Sequence, residues 1–183
     1  MMEKIDLPGN EFETIPKILS HGAGKLVRTL TTVLACAGAL VLFAMAIMSV
    51  TSIFGRVVFS KPIQGDYELA QVMVAAAVAL FLPYCHMRRA HIFVDFFTAK
   101  FSSRVRHGLD ALAGLLLALC AALLTVQLTH GMFDMREAGE QTMILGFPVW
   151  IAYIALVVSF AMLTITGVYL AWTDFIAAAK RTA

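Results

Sequence analysis

The side chains of this chain best suited to chemistry are its histidines, because paired imidazoles on neighbouring membrane helices can hold a haem iron. His86 and His130 each lie near the end of an apolar stretch, but at opposite ends of the expected topology, so the two would not share a haem. A pair formed by His86 and His107 is geometrically allowed. A haem-bearing or non-haem membrane anchor of a respiratory enzyme is therefore retained as an alternative function.

The other reactive residue types indicate no catalytic site. Cys36, Cys85 and Cys120 are widely spaced within apolar stretches, and the sequence has no C-x-x-C motif or Cys/His cluster with zinc spacing. Glycine-rich phosphate loops and the H-E-x-x-H and G-x-S-x-G motifs are also absent. We therefore predict that the protein is not an enzyme and uses no cofactor or metal.

Four apolar stretches must position everything else in the chain. They cover about residues 29–55, 69–87, 109–129 and 147–172, and the 183 residues as a whole are 60% hydrophobic and 14% charged, with a mean hydropathy of +0.82. About 20 helical residues cross the ~30 Å hydrocarbon core of a bilayer, and only helices or closed barrels satisfy their backbone hydrogen bonds there. The fold class predicted is an all-α integral membrane protein with four transmembrane helices.

The distribution of Lys and Arg predicts the orientation of these helices. Cytoplasmic loops are enriched in positive charge, and eleven basic residues fall on the side that holds both termini, against three on the other side. The three are Arg56, Lys61 and Arg136. We expect a cytoplasmic segment over residues 1–28, a membrane domain over 29–172 and a cytoplasmic tail over 173–183, with both termini inside. The central parts of the spans carry no Asp, Glu, Lys, Arg or His, so an ion path through this chain alone is not expected.

The connection between spans two and three has helical periodicity. Phe93, Phe97 and Phe101 recur every four residues, which places them on one helical face. We predict an amphipathic helix over about residues 90–106, lying in the inner membrane interface.

Three passages resemble one family of membrane proteins. The first is residues 56–70, which contain Pro62 and Glu68; the second is His91-Ile-Phe-Val-Asp95; the third is Leu145-Gly-Phe-Pro148-Val-Trp150-Ile-Ala-Tyr153. In order, spacing and position in the loops, they resemble the small membrane subunit (DctQ-like small permease) of tripartite ATP-independent periplasmic (TRAP) transporters. The resemblance covers residues 28–172 and departs at Gly65 and Asp66, where the family often has an aromatic residue.

The resemblance implies a function that the residues alone do not reveal. Such a subunit is a scaffold in the bacterial inner membrane, in contact with membrane lipids. No nucleic-acid partner is expected, because the sequence has no basic run with interleaved aromatic residues. The subunit pairs with a large membrane subunit and works with a periplasmic substrate-binding protein. Together they take up organic acids of the C4-dicarboxylate or sialic acid type, coupled to sodium. A stand-alone channel is a third hypothesis.

Under this resemblance the first external loop becomes the main candidate for docking or for structuring the loops. Arg56 and Glu68 bracket the loop that contains Pro62, so we expect them to form an ion pair that closes it. His91, Asp95, Pro148 and Trp150 complete the candidate set. Charged residues expected on the same external side are Arg56, Asp66, Glu68, Asp134, Arg136, Glu137 and Glu140.

Overall fold

Four long helices make up most of the described part of the chain. The computed structural model describes residues 22–60, 63–88 and 103–180. The helices are α1 (Gly22–Phe59), α2 (Asp66–Met87), α3 (Ser103–Glu137) and α4 (Trp150–Lys180). Each contains a stretch long and apolar enough to cross a membrane, which confirms the predicted class of a four-helix membrane protein.

The helices are longer than the apolar stretches that predict them. With 38 and 35 residues, α1 and α3 measure about 57 and 52 Å at 1.5 Å per residue, so they tilt in the bilayer or extend beyond it. The hydropathy pattern detects the part of a helix that suits lipid, whereas the hydrogen-bonded helix continues into polar sequence. The start of α4 differs in the opposite sense, at Trp150 instead of residue 147, because Pro148 belongs to a hairpin.

One prediction, the interfacial helix, falls mostly outside the described residues. Residues 103–106, predicted as the end of the interfacial helix, form the first turn of α3 instead. The rest of that predicted helix, with Phe93, Phe97 and Phe101, lies outside the described residues and stays a prediction. The orientation of the helices relative to the cytoplasm also stays a prediction.

The helices form a row in the order α1–α2–α4–α3. The main contacts join α1 to α2, α2 to α4 and α4 to α3, with minor contacts between α1 and α4. The two central helices hold much of the buried surface, including Ala77 and Leu80 on α2 and Met162 and Leu163 on α4. Large apolar side chains along α1 and α3 remain exposed, as expected for helices that face lipid or other subunits.

Small residues let α3 and α4 approach closely. A Cβ atom added to Gly167 would lie 2.9 Å from the Cβ of Ala118 and 3.3 Å from the carbonyl oxygen of Gly114. Gly114 and Ala118 are both buried, and they pack against α4.

Buried hydroxyl groups in the described part of the chain mostly bond to their own helix. Thr31, Thr166 and Thr173 donate to the carbonyl oxygens of Arg28, Leu163 and Leu170 at 2.8–3.0 Å. Such bonds satisfy a hydroxyl within one helix and do not connect it to a neighbour. They therefore give no continuous polar path along the described helices.

Candidate functional site

Polar contacts between different helices concentrate where the helices meet at one end of their long axes, which we call the hairpin end. There α1 ends and α2 begins, and a short hairpin over residues 140–149 connects α3 to α4. The opposite end, where α1 and α3 begin and α2 and α4 end, is called the terminus end. The first turn of α2 carries two carboxylates, Asp66 and Glu68, which have different partners.

Asp66 joins α2 to α1. Its Oδ2 accepts a hydrogen bond from Ser52 Oγ at 2.5 Å and one from Arg56 Nη2 at 3.5 Å. Ser52 and Arg56 lie one turn apart on α1, so a single carboxylate oxygen meets two side chains of one helical face. Ser52 is 1% exposed, whereas the Arg56 side chain is 63% exposed. The buried hydroxyl contact should therefore stabilise this junction more than the exposed ion pair does.

Glu68 joins α2 to the hairpin. Its Oε1 and Oε2 each accept a hydrogen bond from the backbone amide of Ile144 at 3.2 Å, and Oε2 also accepts one from the amide of Leu145 at 3.4 Å. A carboxylate that receives successive backbone amides holds the loop by its main chain. Glu68 thus connects elements 76 residues apart in the chain.

The expected pairing of Arg56 with Glu68 is wrong. Arg56 pairs with Asp66, and Glu68 turns to the hairpin. Two residues along a helix correspond to a rotation of about 200°, so Asp66 and Glu68 leave α2 in nearly opposite directions. Both residues do structure the loops, but each acts on a different neighbour.

The hairpin is built by backbone hydrogen bonds and by two glycines with positive φ. Gln141 and Pro148 form an antiparallel bridge, and the amide of Thr142 donates to the carbonyl of Phe147 at 2.9 Å. Gly139, directly before the hairpin, and Gly146, within it, adopt φ values of 64° and 63°, which residues with a side chain rarely adopt. These contacts set the direction in which the hairpin leaves the helix pair.

The hairpin leans over the start of α2. Gly65 has φ 73°, and a Cβ atom added to it would lie 2.5 Å from Cδ1 of Leu145. Glycine at this position therefore supplies both the turn and the space for the hairpin. Beyond this contact, Met143 and Ile144 are exposed at the tip.

The base of the hairpin includes the other two described candidates. Pro148 lies in the bridge with Gln141, and Trp150 is the first residue of α4. The guanidinium of Arg136, near the end of α3, lies 5.4 Å from the centre of the Trp150 ring, a cation–π distance. Pro148 and Trp150 thus help to join α3 and α4. Pro62, His91 and Asp95 lie outside the described residues.

The surface of the hairpin end is acidic. Its described residues carry five carboxylates and two guanidinium groups, which gives them a net charge of −3. The carboxylates of Asp134, Glu137 and Glu140 are exposed. Asp66 and Glu68 are engaged within the chain, so these three are the ones available to a partner.

The histidines stand apart from this cluster. His86 is next to last in α2, at the terminus end, and His130 lies near the hairpin end of α3. The two histidines therefore lie toward opposite ends of the helices, and the sequence predicts on the same ground that they do not share a haem. Within residues 22–60, 63–88 and 103–180, no group of three or more His, Cys, Asp or Glu side chains could hold a metal ion.

Comparison with protein-family models matches residues 45–177 to the family described as "Tripartite ATP-independent periplasmic transporters, DctQ component". The match covers more than two thirds of the chain. The chain belongs to this family. It is a small TRAP transporter subunit, and the family is a transporter component and not an enzyme family. Comparisons with curated proteins and with solved structures gave no match.

Two features of this TRAP subunit escape analysis of the sequence. Ser52 looks like one small residue among many in an apolar stretch, and the amides of Ile144 and Leu145 carry no signal in their side chains. A polar residue one turn before Arg56, on the same helical face, is the sequence signal that favours Ser52 as a partner in the cluster. The amide contacts have no such signal, because they depend on how the hairpin folds.

Proposed function

We propose that this chain is the scaffold subunit of a bacterial inner-membrane TRAP transporter. It pairs with the large membrane subunit and supports sodium-coupled, binding-protein-dependent uptake of an organic acid of the C4-dicarboxylate or sialic acid type. The observation that carries the proposal is the family match over residues 45–177. The spans add support, because their central parts lack ionisable groups, so substrate and sodium would be bound by the partner.

In this proposal both termini are cytoplasmic and the hairpin end faces the periplasm. The asymmetry of Lys and Arg supports that orientation. A periplasmic reporter enzyme fused after Ala183 should be inactive, and one inserted at Met143 should be active. The reverse pattern would contradict the orientation.

The acidic hairpin end is the proposed docking surface for the substrate-binding protein. Complementary charge speeds association, and this effect weakens as the salt concentration rises. Neutralising Asp134, Glu137 and Glu140 together should slow association of the binding protein with the complex and flatten its salt dependence. The matched control is neutralisation of Lys25 and Arg28 at the opposite end, which should leave association unchanged.

A purification and transport experiment tests the function as a whole. The tagged chain, purified from native membranes, should bring with it a larger polytopic membrane protein in stoichiometric amount. Liposomes that hold both subunits should take up the organic acid only with a sodium gradient and the binding protein present, and liposomes with this chain alone should not. A haem absorbance spectrum without a polytopic partner would instead support the respiratory anchor, which the family match does not favour.

A further inference from the structure

A shallow surface depression, which we call the groove, lies along one flank of α1 at the terminus end and is lined by that helix alone. Spacings of three and four residues place its lining on one stripe of the helix. The lining residues are Lys25, Arg28, Thr29, Thr32, Val33 and Cys36. All six are exposed, so the groove opens to the surroundings of the helix and not to the interior of the row.

The basic side chains of the groove differ from the others that the structure describes. Arg56 pairs with Asp66, Arg88 lies 5.2 Å from the ring centre of Tyr84, and Arg136 lies against Trp150. Within the described part of the chain, Lys25 and Arg28 form no salt bridge and no cation–π contact. Two positive charges one turn apart are therefore left available for an anion.

The hydroxyl groups of the groove are turned toward the helix. Thr29 donates to the carbonyl of Lys25 at 2.9 Å, and Thr32 donates to that of Arg28 at 2.8 Å. Their methyl groups, with Val33 and Cys36, continue the groove toward the apolar middle of α1, where Leu40 is 70% exposed. The groove thus has a cationic end and an apolar continuation.

We propose that this groove binds one anionic phospholipid. The phosphate would lie between Lys25 and Arg28, and an acyl chain would follow Val33 and Cys36 along α1. Basic side chains near the membrane surface attract anionic lipids. A free phosphate would use the charges but leave the apolar continuation unoccupied, which is why the structure favours a lipid.

A charge-relocation variant tests the proposal without changing net charge or topology signals. Leu26 is 61% exposed and lies on nearly the opposite side of α1 from Arg28. The double variant Leu26→Arg/Arg28→Leu therefore moves one charge out of the groove. Arg28→Lys is the matched control that keeps a charge in place, and helicity by circular dichroism checks that each variant folds.

The measurement is native mass spectrometry of the full chain in neutral detergent, titrated with phosphatidylglycerol, phosphatidylcholine or inorganic phosphate. We expect wild type to retain one phosphatidylglycerol in preference to phosphatidylcholine. Relocation should weaken phosphatidylglycerol binding about fivefold, since one basic residue near the surface contributes about a factor of this size. Arg28→Lys should bind nearly as wild type.

Three outcomes would overturn the proposal. They are equal retention of the two phospholipids, unchanged binding by the relocated variant, and displacement of the lipid by millimolar inorganic phosphate. If the relocated variant fails to fold, Lys25→Gln must lower phosphatidylglycerol binding while leaving phosphatidylcholine binding unchanged, and any other result counts against the site. None of these results depends on transport, so the proposed function is tested separately.

Discussion

The hairpin end and the middle of the helix row are held together by different physical means. At the hairpin end, Asp66 and Glu68 extend from α2 to α1 and to the hairpin through hydrogen bonds. Near the middle of the helices, Gly167 and Ala118 bring the backbones of α4 and α3 into contact. A carboxylate near the membrane surface can stay charged, whereas charge within the hydrocarbon region is costly and helices there rely on close packing.

This difference matches the roles proposed for the hairpin end and for the part of the helices inside the membrane. A partner in the periplasm needs a surface of fixed shape, and Glu68 holds the hairpin by its main chain. The interior of the membrane needs stiffness without polar groups, which small residues provide. Four predictions test whether the hairpin end and the middle of the helices do differ in this way.

The largest effect should come from the packed interface. Gly167→Ala would place a Cβ atom 2.9 Å from the Cβ of Ala118, which is too close for either helix to accept without moving. We expect a loss of about 2–3 kcal/mol in the free energy of unfolding, measured in detergent micelles.

Gly114→Ala is the matched control on the same interface. Its Cβ would meet the Cβ of Ala171 at 3.5 Å, an ordinary contact. Because alanine favours helix over glycine by about 1 kcal/mol, this variant should be neutral or slightly stabilising. Equal loss in both variants would show that α3 and α4 are not packed as described.

The second effect should come from Glu68 at the hairpin end. Glu68→Ala removes the acceptor of the Ile144 and Leu145 amides, so both should exchange hydrogen faster, with a stability loss of about 2 kcal/mol. Glu68→Gln keeps an acceptor oxygen, so its exchange rates and its stability should fall between those of wild type and of Glu68→Ala. Amide exchange followed by mass spectrometry measures the effect, and unchanged protection at residues 144 and 145 would refute the contact.

The third effect concerns the buried contact of Asp66. Ser52→Ala removes the 2.5 Å hydrogen bond from a position that is 1% exposed, and we expect a loss of about 1.5 kcal/mol. Thermal unfolding of Ser52→Ala, Asp66→Asn and the double variant measures the coupling between them. Strictly additive losses would mean that the two side chains do not interact.

The smallest effect should come from Arg56. Its side chain is 63% exposed and its contact with Asp66 measures 3.5 Å, so Arg56→Ala should cost less than about 1 kcal/mol. Because Arg56 and Glu68 contact different elements, the losses of Arg56→Ala and Glu68→Ala should add in the double variant. A combined loss no greater than that of the worse single variant would restore the direct pairing that the sequence suggested.

The sequence by itself determined the four membrane helices. Long apolar stretches leave the backbone no other way to satisfy its hydrogen bonds in lipid, so hydropathy alone predicts their number and class. The apolar stretch that predicts the last helix begins at about residue 147, three residues before the helix itself begins at Trp150. Family membership followed from short motifs in the right loops, and residues 45–177 match that family.

Tertiary structure alone decided which groups meet at the hairpin end. The choice between Asp66 and Glu68 as the partner of Arg56 depends on the rotation of α2 about its axis, which is set by its packing against α1 and α4. The contact of Glu68 with amides 76 residues away depends on the path of a hairpin whose glycines adopt positive φ. Local sequence sets which residues become helical, but the rotation of one helix against another is a property of the whole packed row, because many small contacts fix it together.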